Sequence, residues 1–174
     1  MIISVEELRK FIDTTLEDSV LEAKLQALEL LIRKHTNNNF QNRGIRFKCP
    51  IMQTKLYLAT PFLKVGDTIQ ISESIYSDGI YEIKAVEEEF VVLNKPLFDE
   101  AEVLVTNVEY PMDVVMGAIN MMKWDLENRD KVGIQSETIS RHSVTYFNMD
   151  GDNSSMGYPK SLLGFLVPYK KARF

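Results

Sequence analysis

The chain has 174 residues, 45% hydrophobic and 26% charged, which suits one ordinary domain with a hydrophobic core, or a small domain with an inserted module, and excludes a mainly disordered state. A formal net charge of −5 speaks against general nucleic-acid binding, and a single cysteine, Cys49, excludes an internal disulfide or a cysteine-based zinc site. No apolar run is long enough to span a bilayer, and no secretory pattern is present at Met1 to Glu7, so the reading is a protein that stays in the cytoplasm.

The first predicted element is a helix opening at Ser4, which forms a capping box with Glu7, while Leu8, Phe11 and Ile12 supply an apolar face. After a break at Asp13-Thr14-Thr15 comes a longer helix. Its residues Leu21, Leu25, Leu28 and Ile32 recur at helical spacing, with Val20, Ala27 and Leu31 widening the stripe. Glu17, Asp18 and Glu22 early, and Arg33 and Lys34 late, agree with the helix dipole. Asn37-Asn38-Asn39 ends the helix, because asparagine tolerates the left-handed conformation.

From about Ile45 to Val108 the period changes to two, predicting strands over Thr68 to Ser72, Ile80 to Val86, Phe90 to Leu93 and Val103 to Val108. Cys49 reads as a small buried apolar residue. Gly66 and Gly79 read as turn residues, and Asp78-Gly79 predicts a hairpin pairing Ile75-Tyr76 with Ile80-Tyr81. Strands this short suggest a small barrel or a curled sheet. Glu87-Glu88-Glu89 reads as a solvated turn; lining a DNA passage, it would repel phosphates.

Pro111 restarts the helical pattern, with Asp113 placed to favour the helix N-terminus. One apolar row holds Val115, Ile119, Met122 and Leu126, and a second holds Val114, Gly117, Met121 and Trp124. Two rows predict a helix packed on two sides, against the second helix and against a neighbouring subunit. Gly133 stops it, Gln135 to Tyr146 reads as extended, and Asn148 to Ser155 as a mobile loop. Pro159 then opens a short apolar helix, Ser161 to Val167, which Pro168 ends. The fold class is α+β: a small bundle of three to four helices, residues 1–44 and 109–174, with a small antiparallel β-barrel or curled β-sheet inserted at 45–108.

Chemistry finds little footing. Ser140, His142, Ser143 and Asp150 could suggest a serine nucleophile, but no glycine-flanked nucleophile turn accompanies them. Asn148, Asp150, Asp152 and Ser154 alternate like a calcium loop, yet its sixth-position glycine is missing and its twelfth position would be Pro159. His35 has no partner at metal spacing. No catalytic residue, metal or cofactor is therefore assigned. The tail is more suggestive: after Asp152 no acidic side chain follows, and Lys160, Lys170, Lys171 and Arg173 make it basic. It reads either as a helix closing the core or as an arm with aromatic and cationic anchors.

Four elements together resemble the head-to-tail connector proteins of tailed bacteriophages, the adaptor or head-completion family. They are Val5-Glu6-Glu7-Leu8, the helix end Thr36-Asn37-Asn38-Asn39-Phe40, the segment Ser136-Glu137-Thr138-Ile139 leading to Ser143-Val144-Thr145-Tyr146, and the closing Leu166 to Phe174. Ser140-Arg141 stands where that family usually has a glycine. The resemblance implies a non-enzymatic helical protomer that forms a ring, twelvefold in the virion, beneath the portal protein. Such a ring extends the DNA channel, lets DNA pass without reading its sequence, and offers a platform to a stopper or tail-completion protein. Assembly would take place in the host cytoplasm, with no membrane partner.

On that reading the candidate subunit interface comprises Val114, Met121, Trp124, Ser136, Glu137, Ile139, Val144 and Tyr146. The candidate portal-binding set is Tyr158, Leu162, Leu163, Phe165, Leu166, Tyr169, Lys170, Lys171, Arg173 and Phe174. Truncation after Gly157 is then expected to leave a folded body that no longer binds portal. The alternative is a nucleic-acid-binding module built on the small barrel, a function common among such barrels. A hydrolase using Ser143 and His142 is the third reading.

Overall fold

The computed structural model describes residues 1–132, 136–139, 142–145 and 153–172, and divides into two compact units: Met1 with Asn39–Tyr110, and Ile2–Asn38 with Pro111–Phe174. The fold is α+β, as the sequence pattern implies.

The first unit is a closed six-stranded antiparallel barrel. Its strands are β1 (Gln41–Met52), β2 (Lys55–Leu56), β3 (Thr68–Ser72), β4 (Gly79–Val86), β5 (Val91–Leu93) and β6 (Glu100–Val108), in the spatial order β1-β2-β5-β4-β3-β6. Closure leaves no unpaired strand edge, so strands as short as β2 and β5 keep partners on both sides. The interior is aliphatic: Ile51, Leu56, Ile69, Ile71, Ile83, Val91, Val103 and Val105 are all essentially inaccessible, and Leu63 and Leu97 plug it from the loops. Each such side chain stabilises the unit by about 1.5–3 kcal/mol relative to exposure.

β1 begins at Gln41, ahead of the change of period read at Ile45. Its sequence hides it, because register shifts fall between Asn42 and Arg46 and between Cys49 and Ile51, where Gly44 and Pro50 sit. These residues are tolerated at bulges, which bend and twist a strand so that a sheet can close. At the first bulge the Asn42 side chain accepts from the Gly44 amide at 3.0 Å.

The hairpin expected at Asp78-Gly79 is not formed there. β3 pairs with β4 as Ile71↔Gly79, Gln70↔Ile80 and Ile69↔Tyr81, so Gly79 is a strand residue and Ile75 and Tyr76 lie in a wider loop. The cause is distant in sequence: the Glu100 carboxylate accepts from the Ile75 amide at 2.8 Å and from the Ser74 hydroxyl, and Asp78 accepts from the Ser74 amide at 2.9 Å. Gly66, at φ +90°, is a turn residue as expected.

Cys49 is buried in the barrel, and burial pushes its thiol up to about 11. The folded chain is therefore expected to resist a disulfide-exchange reagent at pH 8, reacting only after denaturant is added, because the thiolate is the reactive form. Prompt stoichiometric labelling of the native protein would contradict this placement.

The second unit holds α1 (Val5–Leu8), α2 (Asp18–Thr36), α3 (Met112–Asn128), a 3-10 turn (Arg129–Lys131), the hairpin β7 (Ser136–Ile139) with β8 (His142–Thr145), the small pair β9 (Ser154–Ser155) with β10 (Tyr158–Pro159), and a closing 3-10 helix (Lys160–Tyr169). Ser4 caps α1 by accepting from the Glu7 amide at 3.2 Å; the Glu7 carboxylate in turn accepts from the Ser4 hydroxyl. α1 is short, and Phe11 beyond it is exposed, not part of an apolar face. α2 buries Leu21, Leu25, Leu28 and Ile32, and Asn37 closes it in the left-handed conformation at φ +50°. Val20 and Ala27, read as widening the buried stripe, are instead exposed. Tyr158 and Pro159 form β10 before the closing helix begins, with Met156 and Gly157 both at positive φ in the preceding turn. That helix continues through Pro168 to Tyr169 instead of stopping before it.

Candidate interaction surfaces

The tail is tied into the helical unit. Leu166 is fully buried, and Leu163 and Tyr158 nearly so. Phe165 lies against Gly117 of α3, where an added Cβ would come within 2.4 Å of three ring carbons. Glycine mid-helix costs about 1 kcal/mol relative to alanine, and here it gives the ring room to seat. Polar bonds complete the attachment. The Lys171 amide donates to the Thr36 carbonyl at 2.8 Å, and the Asn37 and Asn38 side chains donate to the carbonyls of Ala172 at 2.9 Å and Tyr169 at 3.2 Å. The Tyr169 hydroxyl donates to Asp113 at 2.7 Å, and this bond holds the phenol above its ordinary range.

Those contacts redistribute the tail candidates. Tyr158, Leu163 and Leu166 are core residues with little surface for a partner. Leu162, Phe165 and Tyr169 are half-buried, Lys170 and Lys171 present exposed side chains, and Val167, absent from the candidate set, is 64% exposed. Arg173 and Phe174 lie outside the described residues.

The same correction applies to α3. Val114 and Met121 are fully buried within the unit's own core, so they are not available to a neighbour. The second apolar row is covered by the closing helix of the same chain, which supplies the second packing side that the sequence reading assigned to another subunit. Trp124 is half-buried, its ring 5.5 Å from that of Tyr158, with the Arg129 guanidinium over both. Ser136, Glu137, Ile139 and Val144 lie on the β7–β8 hairpin, in the register Ser136↔Thr145, Glu137↔Val144 and Ile139↔His142. Tyr146 lies outside the described residues, as do Ser140 and Asp150 of the serine-nucleophile reading and most of the loop Asn148 to Ser155.

Beneath these surfaces a polar cluster joins four elements, α2, α3, the 3-10 turn and β10. Asp125, its side chain 9% exposed, accepts from Lys24 of α2 at 2.7 Å and from Arg129 at 2.6 Å, and the Tyr158 hydroxyl lies 3.4 Å away. Arg129 also donates to the Gly157 carbonyl at 2.9 Å. Burial pushes the Asp125 carboxyl up, but the two cations more than offset it and hold the group below its usual range. The bonds run between elements of one unit, and the cluster reads as a structural fastener.

Sequence reasoning missed two apolar faces. Val20, Ala23, Ala27 and Leu30 fall within one sector of α2 and are all exposed, Leu30 at 59%. Met112 and Met116 sit one turn apart on α3, at 72% and 38% exposed. The signal was present: Val20 and Ala27 are offset around the helix from the Leu21-Leu25-Leu28-Ile32 stripe, towards its far side.

Neither a protein-family model nor a curated protein matches this chain. Among the described residues, no group of three or more His, Cys, Asp or Glu is placed to hold a metal ion, and no helix is long and apolar enough to cross a membrane.

Proposed function

We propose that this chain is a structural subunit of a phage head-to-tail connector, one that forms an oligomeric ring under the portal, extends the DNA channel and receives stopper or tail proteins. The observation that carries this reading is the pair of uncovered apolar faces on two different helices of one compact unit, Val20-Ala23-Ala27-Leu30 on α2 and Met112-Met116 on α3. A ring needs heterologous contacts, in which one face of a protomer meets a different face of the next. Further support comes from the sequence elements behind the resemblance: the Thr36-Asn37-Asn38 helix end and the closing segment are hydrogen-bonded to each other. The exposed tail residues Val167, Lys170 and Lys171, beside half-buried Phe165 and Tyr169, are the proposed portal-facing set. The nucleic-acid reading gains nothing from the barrel, since residues 39–110 carry seven Lys and Arg against eleven Asp and Glu.

Two variants test the ring. Leu30→Lys with Ala27→Glu disables the α2 face, and Met112→Lys with Met116→Lys disables the α3 face. Neither pair alone is expected to form rings on a portal template. An equimolar mixture should yield heterodimers that stop there, because only one competent contact remains between the two. Rings from either variant alone, measured by light scattering and microscopy, would remove the assignment.

A further inference from the structure

The antiparallel order of the barrel brings the β1–β2, β3–β4 and β5–β6 loops to one end, opposite the end where the chain enters at Asn39 and leaves at Tyr110. That end is apolar at its tip. Ile75, Tyr76 and Phe98 are 78%, 72% and 65% exposed, and Met52 lies at the same end. The Tyr76 and Phe98 rings meet edge to face at 5.8 Å.

The loops carrying them are tied together. Glu100 holds the Ile75 amide, the Ser77 hydroxyl accepts from the Phe98 amide at 3.2 Å, Tyr81 donates to the Ser77 carbonyl at 2.9 Å, and Asp99 accepts from the Thr54 amide at 3.3 Å. Aromatic side chains held exposed on braced loops have already lost part of the freedom that binding would cost, which is the arrangement of an anchor. Acidic residues surround them. Glu73, Asp78, Asp99, Glu100 and Glu102 stand in or beside these loops, against three lysines: Lys95, Lys55, whose ammonium lies over the Phe90 ring at 4.1 Å, and Lys48, which is engaged with Glu102 at 2.8 Å and Glu73 at 3.8 Å.

We infer that this end of the barrel is a docking surface for a partner polypeptide that presents an aromatic or aliphatic side chain flanked by lysine or arginine. The acidic surround selects that occupant, since it repels nucleic-acid phosphates and anionic lipid. A second copy docking tip to tip would set carboxylates against carboxylates. The surface is independent of the ring faces, which lie on the helical unit, and it gives the inserted barrel a task of its own.

Selection from a bead-displayed random dodecapeptide library on the immobilised full chain, run in parallel on Tyr76→Ser/Phe98→Ser, tests this. Both positions are exposed, so the variant should keep its thermal transition within a few degrees. Enriched peptides should carry an apolar centre with basic flanks and should lose about tenfold or more in affinity on the variant, read by fluorescence anisotropy. Glu73→Gln/Glu102→Gln should weaken the same peptides and flatten their salt dependence. Three results would overturn the proposal: no enrichment, enriched peptides that bind the serine variant equally or lack basic residues, or wild-type self-association that the serine variant abolishes, which would give this face to a second copy.

Discussion

Truncating the chain after Gly157 is expected to unfold the helical unit, not to leave a folded body with a missing arm. The removed segment includes Leu166, fully buried, with Leu163 and Tyr158 nearly so, and it packs on α3, where the Phe165 ring seats against Gly117. Reducing a buried leucine to alanine alone costs about 2–5 kcal/mol, and a domain's whole stability is about 5–15 kcal/mol. Trp124, the only tryptophan, sits in this unit and half-buried beside Tyr158, so its emission should shift to the red and lose its cooperative transition. Point variants separate packing from surface: Leu166→Ala should cost about 2–5 kcal/mol in denaturant unfolding. Val167→Ser, one residue on and exposed, should stay within about 0.5 kcal/mol. A truncated chain with native Trp124 emission and an unchanged transition would show that the tail is an arm after all.

The second large effect is expected at Asp125. Asp125→Ala leaves Lys24 and Arg129 without their shared acceptor. Breaking a fully buried pair costs about 3–5 kcal/mol; both cations are partly exposed, so about 2 kcal/mol is expected here. The same site sets a pH dependence. Its carboxyl is held below the unfolded value of about 3.9, so its contribution is complete above that value and is lost as pH falls through the folded one. The stability gap between wild type and Asp125→Asn should therefore be widest above about pH 5 and should close below about pH 4. A gap that stays constant over that range would mean the carboxylate charge does not hold the cluster together.

Much of the fold is legible in local sequence because local physics fixes it. Ser4 with Glu7 starts α1, the Leu21-Leu25-Leu28-Ile32 spacing sets the buried face of α2, and Asn37 closes α2 with its own left-handed conformation. What local sequence hides is whatever a distant residue decides. Asp78-Gly79 would turn by itself, but Glu100 holds the Ser74–Tyr76 loop open and moves Gly79 into β4. β1 is masked by Gly44 and Pro50, residues that depress strand propensity yet suit the bulges that close a barrel. The candidate surfaces suffered most, because apolar character alone does not tell a core side chain from a docking one. Leu163 and Leu166 recur at i and i+3, the period of a 3-10 helix, and Gly117 stands mid-helix; both were signals that the tail packs on α3. Val20 and Ala27 lie well outside the Leu21-Leu25-Leu28-Ile32 sector, which was a signal that they stay on the surface.

Electron microscopy of the full chain mixed with a portal ring encoded in the same genome tests the proposed connector assembly. The expected result is a second ring of density seated on the portal, with matching rotational symmetry and a channel continuous with the portal's. Portal particles left unchanged by an excess of folded chain would contradict it.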